Sequence, residues 1–214
     1  MWTRMGRIIF LLGILAVLPL TAADFTAEPA GEIPAEGLPE ELVTMLSSEG
    51  VRVKGPDGKV VAEFWGRKTP FEGEPVSGFG IRFETIPEGA LVGLARFPAS
   101  GSDFREQRIP SGVYSMRFGL HPEDGNHMGA APSRDFFLLS PAAKDTEPAK
   151  NYGFDDLIEL SYAVGNSHPT IARAELGDGD GSPNVWENDS AYWIVDLKVA
   201  GEVIGIVVHG HADE

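Results

Sequence analysis

The sequence predicts a mainly β fold, an antiparallel β-sandwich of about eight strands with two short helices. Three observations carry that expectation. Apolar and polar residues alternate with period two along much of the chain after residue 50. Glycine (26) and proline (16) punctuate nearly every junction in 214 residues, as many short strands require. Strands and helices do not alternate regularly, which argues against a parallel sheet.

Taken in order, Met1–Ala23 reads as a secretory signal peptide. Arg4 and Arg7 form its positive end, Ile8–Leu20 its uncharged apolar stretch, and Thr21-Ala22-Ala23 a small-residue cleavage site. The apolar run falls short of the roughly 20 residues that span a bilayer core, which favours cleavage over a retained anchor. The expected location is periplasmic or extracellular, with no stable membrane insertion after cleavage. Asp24–Glu40 is rich in acids, carries Pro29, Pro34 and Pro39, and has few large apolar residues after Phe25. It is expected to be a disordered acidic leader. Residues 41–214 then have the length of a single β-sandwich domain.

Pro39–Ser48 is the first predicted helix, with Leu38, Leu42, Val43, Met45 and Leu46 near helical spacing and Gly50 as a stop. Val51–Lys54 and Lys59–Trp65 flank the turn signal Pro56-Asp57-Gly58 and form a predicted hairpin. Further strands are expected at Gly78–Ile86, Ala90–Phe97, Gly112–Leu120, Phe136–Ser140, Tyr192–Val199 and Glu202–His209, the last two joined tightly through Ala200-Gly201. A second helix is predicted over Phe154–Ala163. Phe154, Leu157, Ile158 and Ser161 share one of its faces, and Asp155 and Asp156 sit in its first turn, where the helix dipole favours acids.

Composition removes whole classes of function. Seventeen Lys and Arg stand against 32 Asp and Glu, a net charge of −15, so a phosphate-binding groove for nucleic acid is not expected. With no cysteine, disulfides, thiolate zinc sites, iron–sulfur clusters and cysteine nucleophiles are impossible. Gly-x-Ser-x-Gly and His-Glu-x-x-His are both absent.

Three clusters remain as candidates for chemistry. His121-Pro122-Glu123-Asp124-Gly125-Asn126-His127 follows one predicted strand, and His209-Gly210-His211 ends another. Alternate residues on a strand share a face, so His121 or His127 with His209 and His211 would make a zinc-like divalent site with an open position. The alternative is a solvated turn and exposed terminal histidines. Ser133-Arg134-Asp135 precedes an apolar strand; Asp124, Arg134 and Asp135 either bind a ligand anion or pin the loop internally. In Gly177–Asn184, Asp178 and Asp180 suggest a calcium loop, although Pro183 and Asp189 break the EF-hand template; a mobile acidic turn is the alternative. No other cofactor is expected. Trp65, Trp186, Trp193 and Tyr192 offer either a sugar-stacking platform or core. Asn188-Asp189-Ser190 fits a glycosylation acceptor should the source be eukaryotic.

The run Pro110-Ser111-Gly112-Val113-Tyr114, then His121–His127, then Ser133-Arg134-Asp135-Phe136, resembles a group of uncharacterised secreted bacterial β-rich proteins. They share a G-x-Y … P-x-D-G-N-H … R-D-F segment. The resemblance implies a compact envelope domain and brings no known activity and no functional residues. The expected function is a non-enzymatic binding or structural envelope module for an envelope or extracellular ligand. Its binding face would come from the 121–135 loop and the C-terminal strand. The alternative is a metal-dependent hydrolase using His121, His127, His209 and His211, with Glu123 or Asp124 as base.

Overall fold

The structure is a computed structural model that describes residues 24–103, 105–123, 133–181 and 183–210. Ten strands form one antiparallel sheet: β1 (Thr26–Pro29), β2 (Leu46–Lys54), β3 (Val60–Arg67), β4 (Leu91–Phe97), β7 (Gly112–Leu120), β8 (Asp135–Pro141), β9 (Ile171–Leu176), β10 (Val185–Glu187), β11 (Trp193–Val199) and β12 (Glu202–His209). Their order is β1-β2-β3-β4-β7-β8-β9-β12-β11-β10, and the sheet curls until it is nearly closed into a barrel. The short strands β5 (Gly101–Ser102) and β6 (Arg108–Ile109) pair separately as a small hairpin. Helix α1 (Glu40–Met45) precedes β2, and α2 (Phe154–Tyr162) lies between β8 and β9.

The mainly β, antiparallel expectation holds; the sandwich of about eight strands becomes a ten-stranded, almost closed barrel. Register irregularities between β2 and β3, β4 and β7, and β11 and β12 mark where extra residues bend the sheet. At one end of the barrel Ala200 N–H donates to the Arg67 carbonyl at 2.7 Å. A Cβ on the adjacent Gly66 would collide with the Lys198 carbonyl oxygen, so only glycine lets β3 and β11 approach this closely. The β11–β12 turn has positive φ at both Ala200 (49°) and Gly201 (95°), a twist suited to a two-residue hairpin.

One side-chain set fills the barrel. Val51, Val53, Ala62, Phe64, Met116, Phe118, Phe137, Leu139, Val195, Leu197, Ile204 and Ile206 all point inward at period two. Alternation predicts a wet outer face, yet β3, β7 and β8 are buried on both faces. Two outer clusters explain this. Leu42, Met45 and Leu46 cover Trp65, Leu91 and Leu94, and Leu157 of α2 covers Phe136 and Leu138.

Within the stretch expected to be a disordered leader, Thr26–Pro29 forms β1 and pairs with β2 in regular register. The cause is electrostatic as well as backbone pairing. Glu28, Arg52, Glu63 and Arg96 stand side by side across β1–β4. Arg52 bonds Glu63 at 2.7 Å and Glu28 at 3.2 Å, Arg96 bonds Glu63 at 2.9 Å, and Lys54 bonds Glu28 at 2.7 Å. Lys54 and Arg52 hold the Glu28 carboxyl below its ordinary value. The predicted strand Gly78–Ile86 is also absent; these residues form turns, and Phe83 and Ile86 enter the core as a plug. Asp135 secures them by accepting the N–H groups of Arg82 and Phe83 at 3.0 and 3.2 Å. The α2 expectation matches to within a residue, whereas the first helix stops at Met45 and passes straight into β2.

The outer face of β7 carries a charge with no access to water. Arg117 and Asp145 are both 0% exposed and meet through two parallel 2.7 Å bonds. The remaining guanidinium N–H groups donate to the carbonyls of Gly89, Lys150 and Glu147, and the Tyr152 ring stacks 4.4 Å from it. Removing one partner strands the other charge in a dry site. Asp145→Ala is therefore expected to cost about 3–5 kcal/mol in urea unfolding, with Arg117→Met/Asp145→Leu recovering a large part of the loss.

Candidate functional site

The barrel has two ends, and one of them opens on a cavity of about 60 Å³ lined by both apolar and polar groups. Ala62 and Phe64 of β3, Leu139 of β8, Ile206 and Val208 of β12 and Ile109 of β6 supply its apolar wall. Period two on β3 and β12 aims alternate residues inward, which is why these side chains converge. Ser102, Asp103 and His209 add polar atoms to the lining.

The β5–β6 hairpin stands over this cavity and is held there by a buried acid. Asp103 accepts the backbone N–H groups of Arg105 and Gln107, each at 2.9 Å, and the Gln107 side-chain amide at 2.8 Å. Asn166 bonds the Arg108 carbonyl at 3.1 Å and the Thr170 hydroxyl at 2.8 Å, so the hairpin is stitched to the chain entering β9. Below it Tyr114 donates its hydroxyl to the Pro110 carbonyl at 2.7 Å, and burial pushes its phenol above the ordinary value.

Of the described residues singled out from sequence, His209 lines this cavity, and the others lie elsewhere or serve the framework. His121, at the end of β7, packs its ring 4.7 Å from that of Phe136. His209, at the end of β12, stacks on Phe25 at 5.2 Å. Strands β8 and β9 intervene between them, a path of about 14 Å across the sheet. Two nitrogens sharing one zinc lie no more than about 4 Å apart. His127, His211 and Asp124 fall outside the described residues. Among the described residues no group of three or more His, Asp or Glu is placed to hold a metal.

Arg134 donates from Nε to the His121 carbonyl at 2.8 Å and from Nη1 to Glu123 at 2.5 Å. Asp135 binds the plug described above. Both therefore act on loops within the chain. Trp65 is buried beneath α1 and donates to the Gly31 carbonyl, apart from Trp186 and Trp193.

At the Asp178–Asp180 loop the organising carboxylate is one that sequence reasoning passed over. Asp196, fully buried on β11, accepts the Asp178 N–H at 3.2 Å, the Asn184 amide at 2.9 Å and the Trp186 indole N–H at 3.1 Å. An acid inside the apolar run Trp193-Ile194-Val195-Asp196-Leu197 was the available signal, since a buried carboxylate must find donors.

No protein-family model, curated protein or solved structure matches this chain. The likeness of the 110–136 segment to secreted β-rich proteins gains no support there, and function has to be argued from geometry.

Asp196→Ala leaves three donors without an acceptor. It is expected to lower stability by about 2–4 kcal/mol and to change Trp186 fluorescence in the folded protein, both read in one denaturant titration.

Proposed function

We propose that this chain is an exported, non-enzymatic binding module that takes a small apolar ligand, or the apolar end of a larger one, in the cavity beneath the β5–β6 hairpin. The supporting observation is the cavity itself: inward side chains of three strands wall it, and a hairpin held by its own polar bonds covers it. The cavity is partly open to solvent, and about 60 Å³ has room for roughly four water molecules. Burying a group of three or four carbons there returns about 0.8 kcal/mol per methylene, enough for weak selective capture. Ser102, Asp103 and His209 then meet whatever polar head the ligand carries.

Methyl NMR of the protein titrated with short alkanols tests this. Saturable shifts are expected at Leu139, Ile206 and Val208, strongest for three- and four-carbon members. Ala172→Leu, at the cavity wall, is expected to remove them without unfolding the protein. Unsaturable shifts, or identical shifts in the variant, reject the cavity as the site.

Export rests on residues 1–23 and is checked separately. β1 begins at Thr26, so cleavage after Ala23 spares every described element. N-terminal sequencing of protein recovered from the envelope or medium is expected to start at Asp24; protein retained inside the cell with Met1 rejects export.

A further inference from the structure

The opposite end of the barrel is chemically different. There, β3 ends against the β11–β12 turn, and a cleft of about 220 Å³ opens between Ser47, Glu49, Arg67, Lys68, Lys198 and Gly201. Its walls are fixed by backbone bonds: Lys68 N–H donates to the Met45 carbonyl at 2.9 Å, and Ala200 N–H to the Arg67 carbonyl at 2.7 Å. Gly181, at positive φ, packs against the stem of Lys198.

The cations here are the unusual feature. In a chain with 32 acids, most described Lys and Arg side chains hold a carboxylate, as Arg52, Lys54, Arg82, Arg96, Arg117 and Arg134 do. Arg67, Lys68 and Lys198 line one cleft, and among the described residues none of them has a carboxylate within ion-pair distance. Arg67 is only 5% exposed and donates instead to the Thr69 and Pro70 carbonyls at 3.0 and 2.8 Å, with the Phe71 ring 5.0 Å away. Burial pulls its guanidinium below the ordinary value, with Glu72 opposing that pull. Lys68 and Lys198 are both exposed and line the same cleft. The Ser47 oxygen is already oriented by accepting the Glu49 N–H at 3.1 Å, which leaves its O–H to donate.

We infer that this cleft is an anion site for a compact phosphate group, held by Lys68 and Lys198 with Ser47 as a neutral donor and Arg67 as fixed charge behind them. Ammonium groups bind phosphate as point charges, so two mobile lysines over a preset floor suit a tetrahedral dianion. Glu49 lines the same cleft and opposes the anion, which gives the assignment a sign that can be inverted.

Calorimetric titration of inorganic phosphate into the full protein at low ionic strength is the test, with glycerol phosphate in a parallel arm to separate the free ion from an ester. Saturable binding in the millimolar range or tighter is expected. Lys68→Gln/Lys198→Gln should weaken it at least fivefold, Glu49→Gln should tighten it, and Lys144→Gln, an exposed lysine elsewhere, should leave it unchanged. All four side chains are exposed, and circular dichroism verifies that each variant folds. The assignment is overturned by an absence of saturable binding, by equal affinity in the double variant, or by weaker binding in Glu49→Gln. The cavity at the other end has its own readout, so failure at either end leaves the other testable.

Discussion

Closure of the sheet at Gly66 is the constraint on which everything else rests. A ten-stranded antiparallel sheet has one apolar face too large to leave in water, and it buries that face by curling until its far hairpin meets β3. The meeting is backbone against backbone: Ala200 N–H reaches the Arg67 carbonyl, and Gly66 lets the Lys198 carbonyl come within a side chain's width. The β11–β12 hairpin then roofs the interior that β2–β4 floor. Both cavities are consequences of that geometry, because a sheet that stops just short of full closure leaves a gap at each end. At one end the inward side chains do not fill the space, and at the other the strand ends deliver their polar residues to a common cleft.

Closure alone would leave the outer face of β7 and β8 exposed, and the sequence there is too apolar for that. The chain after β8 returns over it, bringing Asp145 to Arg117 and α2 to Phe136 and Leu138. Arg117 is tolerable in a dry position only because every N–H finds an oxygen and the Tyr152 ring covers its plane. The pair gives direction to a surface that apolar contacts alone would leave free to slide. It fixes the Gly89 turn, the 142–150 segment and β7 relative to one another. Glu63 does similar work on the other half of the sheet, where two arginines in register on neighbouring strands neutralise it and draw β1 into the fold.

How much of this was legible in the sequence depends on whether local pattern or distant partners decide the outcome. Strands with clean alternation and a turn signal, such as Glu202–His209 after Ala200-Gly201, coincide with the observed elements. The Asp24–Glu40 stretch looked too acidic to fold because its partners, Arg52 and Lys54, lie 24 and 26 residues further on. Gly78–Ile86 has the period of a strand, but its apolar members leave the sheet as a plug held by Asp135. Ile171–Leu176 alternates like a strand but was missed because its inward members Ala172 and Ala174 are small and give a weak apolar signal; Arg173 and Glu175 pair with each other on the other side. At the sites the loss is greater. The cavity walls are ordinary core residues whose arrangement, not identity, leaves room. Arg67 and Lys68 are neighbours in sequence, but Lys198 is far from both and joins them only because the barrel closes.

A chain of net charge −15 is a poor general receptor for anions, yet that total says little about one cleft. At physiological ionic strength the field of an exposed charge fades over about 8 Å. The acids on the remote parts of the surface are therefore screened from the β3–β11 end, and the groups at the cleft itself decide its potential. Three cations and one carboxylate line it. The excess of acid elsewhere sharpens the contrast, because most of the other described cations are held in ion pairs while these three share one cleft. What an anion meets at this end is therefore set by the lining of the cleft, whatever the sign of the total. A cleft of about 220 Å³ with its cations gathered at one place suits a single compact charge.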